Sequence, residues 1–181
     1  MMRNHFKVLA AVITVALATP LSAAQYRDRS VPMTVEGGLD LNRYLGKWYE
    51  IARFPNSFER GCAGVTAEYS LRAGGDIRVL NTCLKGGLDG PVERADGSAR
   101  VEAPGRLSVT FVPWLPFARG DYWVLYVASD YSLAVVGNPK GSTGWILARD
   151  AKISASARAN AEAILTKNGY DVSQLENVLQ K

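Results

Sequence analysis

Alternation of apolar and polar residues is the dominant pattern in the middle of the chain. Apolar residues occupy every second position in the segment 65–71, and the segment 77–81 repeats the pattern less cleanly. A period of two places successive side chains on opposite faces of an extended strand. Between the two segments lies a glycine turn, and we expect a hairpin with Ala73 and Gly74 as its two-residue loop.

Similar segments recur along the chain and are separated by turns that contain Gly or Pro. The predicted strands span residues 47–54, 64–72, 76–85, 91–102, 106–112, 121–128, 132–137 and 143–149. Eight short strands at near-regular spacing predict an all-β sandwich or barrel.

The period changes to that of a helix between Ser154 and Asn168. Ser154 is suited to cap the helix N-terminus, and Gly169 is suited to end the helix in the left-handed conformation. The apolar residues in the first half of the helix are all small, so we expect it to lie flat against a barrel wall. Segment 172–179 is ambiguous and fits a last short strand.

The first 24 residues have the pattern of a cleavable export signal. Two basic residues precede an apolar run from Val8 to Ala18, and small residues follow it. This run is too short to span a membrane as a helix. We expect cleavage after Ala24, or alternatively after Ala23, which leaves residues 25–181 as one periplasmic or secreted domain. Ala24 stands where a lipoprotein signal has its lipid-bearing Cys, so no lipid anchor is expected.

Removal of the signal changes what the composition implies. The 181-residue chain has 21 basic and 17 acidic residues, a formal charge of +4, and its single histidine is His5. Loss of Arg3, Lys7 and His5 leaves a charge of +2 and no imidazole. Without histidine, Ser-His and Cys-His nucleophiles and imidazole-ligated metals are excluded. We therefore expect no metal site, no cofactor and no nucleic-acid partner.

Cys62 and Cys83 both lie in the exported part of the chain, where thiols tend to be oxidised. The register of the predicted hairpin places Cys83 opposite Gly64, two residues from Cys62. We expect a structural disulfide that contributes about 3 kcal/mol by closing this loop. The alternative is two free buried cysteines.

Three separated motifs resemble those of a known family. Gly46-Lys47-Trp48 follows a segment typical of a short helical turn, Ser129-Asp130-Tyr131 is similar to a second signature, and Trp145 to Arg149 is similar to a third. In this order they resemble the lipocalins, specifically the branch of bacterial outer-membrane lipocalins and apolipoprotein D. The resemblance extends from Leu39 to Leu179.

The resemblance implies an eight-stranded antiparallel up-and-down β-barrel with the C-terminal α-helix packed outside. A barrel of this size holds one small ligand. In this topology the signature residues meet at the closed end, with the Arg149 guanidinium stacked on Trp48. The signature residues are Gly46, Trp48, Asp130, Tyr131 and Arg149.

Alternation within the strands predicts which side chains face the interior. This inward set is Val65, Ala67, Tyr69, Leu71, Ile77, Val79, Asn81, Leu107, Val109, Phe111, Trp123, Leu125 and Val127. Within it, the expected ligand contacts are Tyr69, Asn81, Phe111, Trp123 and Leu125. Asn81, Arg60 or Arg119 is a candidate to hold a polar headgroup.

The connection that contains Trp114 and Phe117 is expected at the open mouth and is apolar for a loop. Either these side chains form an exposed rim that accepts a lipid tail or touches a membrane surface, or they fold inward and cap the barrel.

The leading functional hypothesis is a protein of the cell envelope that binds, transports or stores a small hydrophobic ligand such as a fatty acid or lysophospholipid. One alternative is a lipid-modifying enzyme that uses Cys62, Cys83 or Glu50, and another is a membrane-surface interaction module. We expect no catalytic residue.

Overall fold

Antiparallel strand pairing organises the fold in the computed structural model, which describes residues 25–115 and 117–181. The predicted export signal therefore lies outside the described residues. The strands are β1 Gly46–Arg53, β2 Cys62–Leu71, β3 Ile77–Lys85, β4 Val92–Ala103, β5 Arg106–Thr110, β6 Gly120–Val127, β7 Leu133–Gly137, β8 Gly144–Ala148 and β9 Glu176–Asn177. The helices are α1 Leu41–Tyr44, α2 Ala155–Lys167 and a 3₁₀ helix at Val172–Gln174.

The first eight strands form a closed barrel because β1 pairs on both of its sides. Consecutive strands from β2 to β8 are hydrogen-bonded in order, and β1 pairs with β8 and with β2. All of these pairs are antiparallel. The predicted eight-stranded up-and-down barrel is confirmed.

The C-terminal segment completes the part of the wall where β1 and β2 separate. β1 pairs with β2 only from Gly46 to Tyr49, and its register against β8 shifts after Glu50. The short β9 then pairs with β1, and the Gln180 side chain donates to the backbone carbonyls of Glu50 and Val65. Backbone groups left free by the separation thus gain partners. The predicted last strand is present, but it is only two residues long and follows the 3₁₀ helix.

Helix α2 packs on the outer surface of the barrel, as predicted. The Ser154 hydroxyl accepts a hydrogen bond from the Ala157 amide, 3.1 Å away, and so caps the helix N-terminus. Ala161 and Leu165 are fully buried against β6 and β7. No helix of the described part of the chain is long and apolar enough to cross a membrane.

The β2–β3 hairpin has a three-residue loop, so the predicted two-residue loop is wrong. Leu71 pairs with Ile77, and the Arg72 amide donates to the Asp76 carbonyl. The extra loop residue, Gly75, has a φ of +87°, a conformation that glycine adopts without strain. Near the loop, the pairing of β2 with β3 is therefore offset by one residue from the predicted pairing. A shift between Ala63 and Thr66 then restores it.

The predicted disulfide is confirmed. Cys62 and Cys83 are joined with a Cα–Cα distance of 5.3 Å, and no free cysteine occurs among the described residues. The bond joins the first residue of β2 to β3 near the end of the barrel where the β1–β2 connection enters.

Removal of the disulfide is expected to destabilise the barrel through the unfolded state. The two cysteines have a sequence separation of 21, so the double substitution Cys62→Ala/Cys83→Ala should lower the free energy of unfolding by about 3 kcal/mol. Urea denaturation measures this loss. A reductant should shift the wild-type midpoint and leave that of the variant unchanged; equal wild-type and variant stabilities would contradict the prediction.

Candidate functional site

Arg149 closes one end of the barrel. Its guanidinium lies 3.8 Å from the centre of the Trp48 ring and donates to the carbonyls of Arg43, Leu45 and Lys47 at 2.7–2.8 Å. These contacts combine cation–π attraction with charge-assisted hydrogen bonds to the chain around α1. Helix α1 is thereby held across this end.

The remaining signature residues lie around the same arginine. Gly46 has a φ of +91°, and a side chain there would contact the Arg149 guanidinium. The Tyr131 carbonyl accepts from Arg149, and the Tyr131 hydroxyl accepts from the Asp40 amide at 2.7 Å. Asp130 forms the turn that precedes β7 by accepting from Ser132. The structure therefore brings the three separated motifs together at the closed end.

A cavity of about 290 Å³ occupies the barrel interior. Its wall is mostly apolar and aromatic, with residues from six strands and from the loops at the open end. The apolar and aromatic lining residues are Phe58, Val65, Ala67, Tyr69, Val79, Val109, Phe111, Tyr122, Trp145 and Leu147. The polar ones are Glu50, Glu59, Asn81, Asp121, Asn138, Ser142 and Thr143. This volume is near the lower limit for small-molecule sites, which suits one slim ligand.

Three of the five residues expected to contact a ligand line this cavity. Tyr69 and Asn81 lie on the wall, and Phe111 lies at the mouth, where it is 39% exposed.

The inward orientation predicted for Trp123 and Leu125 is wrong. Both belong to the outer cluster beneath α2, where Trp123 stacks under Arg106 and Leu125 is buried. Tyr122 and Val124 face the interior instead. Residues 122–127 are all apolar or aromatic, because helix α2 covers their outer face as well. Such a strand has no polar residues to show which alternate positions face the interior and which face outward.

Leu71 is also not part of the interior, since it lies at the end of β2 and is 54% exposed. The mouth residues Trp114 and Phe117 are 74% and 82% exposed. They form an outward rim in the structure, so the inward-capping alternative is not adopted.

Three tyrosine hydroxyls meet at the floor of the cavity. The Tyr122 hydroxyl lies 2.8 Å from the Tyr44 hydroxyl and 2.8 Å from the Tyr69 hydroxyl. Burial raises the pKa of all three phenols, so each keeps its hydrogen at neutral pH. Tyr44 belongs to α1 and is not among the lining residues, so helix α1 supports the cavity floor from the closed end.

A pair of buried carboxyl groups lies higher on the wall. Glu50 and Glu59 are 4% and 8% exposed, and their carboxyl groups contact each other. Arg53 forms a 2.9 Å ion pair with Glu50, whereas Glu59 accepts from the Trp145 indole at 3.1 Å. Burial, and then the neighbouring Glu59, raise the pKa of Glu50 well above its ordinary value of 4.5. The Arg53 guanidinium opposes this rise in the pKa of Glu50, because it favours the charged form of the carboxyl.

Sequence patterns did not indicate Glu59, Trp145 or Tyr122 as wall residues. Glu59 is a charged residue in a loop, and only the folded chain shows that Asn56 and Trp145 bind its carboxylate. Tyr122 pairs with Leu107, which the alternation in β5 predicts to face inward. This pairing would indicate that Tyr122 faces inward as well. The sequence does not give the pairing, because a long loop separates β5 from β6.

Comparisons with known proteins agree with this architecture. Residues 39–180 match the lipocalin-like domain family. The chain belongs to the lipocalin family. It is 38% identical over 157 residues to temperature-induced lipocalin-1 of Arabidopsis thaliana, covering 82% of this chain and 83% of that protein. It is 36% identical over 167 residues to the outer membrane lipoprotein Blc of Escherichia coli K12, covering 92% of each chain.

Solved structures show the same lipocalin fold. The cockroach allergen Per a 4 superposes with a TM-score of 0.64 at 21% identity, over 82% of this chain and 92% of that one. Apocrustacyanin C1 superposes with a TM-score of 0.62 at 21% identity, over 78% of this lipocalin and 80% of that chain.

The raised pKa of Glu50 should make its contribution to the stability of this lipocalin fall as pH rises. A carboxyl whose pKa is higher in the folded than in the unfolded state stabilises the fold at low pH, and this contribution is lost from about pH 4.5 up through the raised value. Glu50→Gln keeps an acceptor for Arg53 and a donor for Glu59, so it should remove this fall. Urea denaturation across pH measures the difference between wild type and variant. Parallel pH profiles would contradict the raised pKa.

Proposed function

We propose that this lipocalin binds the alkyl chain of a single-chain lipid, of the fatty acid or lysophospholipid class, inside the barrel. The observation that carries the proposal is the apolar cavity of about 290 Å³ that opens at one end of the barrel. Each methylene buried there contributes about 0.8 kcal/mol, which offsets the entropic cost of association once several are buried.

The charges around the cavity support entry of the lipid with its alkyl chain first and its headgroup last. The charged side chains among its described lining residues, Glu50, Glu59 and Asp121, are all acidic. An anionic headgroup is therefore better placed outside the cavity. Arg60 is exposed in the loop between β1 and β2 at this end. Arg119 precedes β6 at the same end, but its guanidinium already donates to the Ser108 hydroxyl at 2.9 Å and to the Ser108 carbonyl at 2.8 Å. Arg60 is therefore the candidate to hold a carboxylate or phosphate at the mouth.

A binding role rather than catalysis is supported by the state of the candidate reactive groups. Cys62 and Cys83 are joined in a disulfide, and Glu50 is ion-paired with Arg53. The disulfide also supports an oxidising compartment, so we propose a periplasmic or secreted location.

Filling the cavity should weaken binding of an alkyl chain. Ala67→Phe places a ring on the cavity wall, where it takes the space of about two methylenes of the bound chain. The affinity for a fluorescent fatty acid should therefore fall about tenfold or more. The matched control is Ser70→Phe on the exposed face of the same strand, which should leave affinity unchanged. Fluorescence titration measures both. Equal weakening by the two variants, or no uptake of the probe by wild type, would contradict an interior site.

The exposed aromatic rim supports a second role, contact with a membrane surface during ligand transfer. Trp114 and Phe117 project from the loop between β5 and β6, and Phe58 from the neighbouring mouth loop is 61% exposed. Indole rings are favoured at membrane interfaces, and Arg60 at the same end suits an anionic lipid surface.

Membrane contact through the rim predicts flotation with anionic vesicles. Wild type should float with vesicles of phosphatidylcholine and phosphatidylglycerol, and Trp114→Ala should reduce the bound fraction several-fold. Leu71→Ala, which removes an exposed apolar side chain at the opposite end of the barrel, should have no effect. Absence of wild-type flotation, or equal loss in both variants, would count against the rim.

A further inference from the structure

The hydroxyl cluster at the cavity floor has one hydrogen more than its contacts use. Tyr44, Tyr122 and Tyr69 have three hydroxyl hydrogens and form two mutual contacts, each of which uses one hydrogen. All three phenols are protonated at neutral pH because burial raises the pKa of each. One hydrogen therefore has no acceptor among the described residues.

Burial decides which tyrosine carries this remaining hydrogen. Tyr44 is 1% exposed and is not part of the cavity wall, so a hydrogen without an acceptor would be costly there. The cost is lowest when Tyr44 donates to Tyr122 and the free hydrogen belongs to Tyr122 or Tyr69. Both of these line the cavity. The floor thus presents one hydrogen-bond donor to the interior.

A buried acceptor without a partner lies on the same wall. The side-chain oxygen of Asn81 is buried and accepts no hydrogen bond from the described part of the chain. Asn81 pairs with Ala67, and Val79 pairs with Tyr69, so Asn81 and Tyr69 are diagonal neighbours on the inward faces of β3 and β2. Unpaired buried polar atoms are rare in folded proteins and commonly mark a site for a ligand or bound water.

We propose that the deep half of the cavity binds an uncharged hydroxyl group on the buried part of a single-chain lipid. A hydroxyl accepts from the tyrosine cluster and donates to Asn81, so one group complements both unmatched positions. An ammonium group has no acceptor for the tyrosine hydrogen. A carboxylate cannot donate to Asn81, and the charged side chains of the described lining are acidic. The inference rests on the proposed function and names its ligand more closely.

Matched acids with and without a terminal hydroxyl test this inference. Decanoic, dodecanoic and tetradecanoic acids and their ω-hydroxy counterparts place a hydroxyl at three depths, with the carboxylate at the mouth in every case. Displacement of a bound fluorescent fatty acid from the wild-type protein gives the affinities. For the best-fitting length, the ω-hydroxy acid should bind about fivefold tighter than its parent. In a purely apolar cavity the added hydroxyl would weaken binding instead.

Substitution of the acceptor should reverse the preference. Asn81→Leu should make the parent acid bind tighter than its ω-hydroxy counterpart, and it should fold because an apolar group replaces an unpaired polar one. Tyr126→Phe, which removes a hydroxyl from the outer face of β6, should keep the wild-type preference.

The outcomes separate the two proposals. If the wild-type protein binds every parent acid more tightly than its ω-hydroxy counterpart, the hydroxyl site is overturned, whatever the behaviour of the variants. The proposed binding of an alkyl chain would still stand. If neither series displaces the probe, the proposed function fails together with the inference. An unchanged preference in Asn81→Leu would overturn the role of Asn81.

Discussion

Closure of the sheet through β1 is the constraint on which the rest of the structure depends. An open eight-stranded sheet would expose two rows of unpaired backbone groups, whereas the pairing of β1 with both β2 and β8 removes these edges. Eight strands enclose an interior just wide enough for side chains or one slim ligand. Helix α1, held by Arg149, blocks one end, so the space that remains opens only at the other.

The interior combines this apolar space with polar groups that a stability-optimised core would lack. Two carboxyls, one arginine, three phenols and an amide are buried around the cavity, and each must find a partner or lower the stability of the fold. Most of them do: Arg53 is ion-paired with Glu50, the Trp145 indole donates to Glu59, and the tyrosines bond to one another. The Asn81 oxygen and one tyrosine hydrogen do not, and a ligand that matches them would recover part of that cost.

Features governed by local chemistry were predictable from the sequence. The strands, the Ser154 cap and the disulfide follow from period, capping preference and cysteine count, and the structure has all three. Features that depend on the environment of a whole face were not. Tyr122 and Trp123 are neighbouring aromatic residues, and only the placement of α2 over the barrel decides which of them faces the cavity.

Native mass spectrometry of the protein purified from its own cells tests the central claim, occupancy of the barrel by a single-chain lipid, most directly. We expect a one-to-one complex whose extracted ligand has one alkyl chain and an uncharged hydroxyl on it. Protein that is ligand-free when isolated and stays so after incubation with single-chain lipids would contradict the claim. A bound lipid with two chains would contradict it equally.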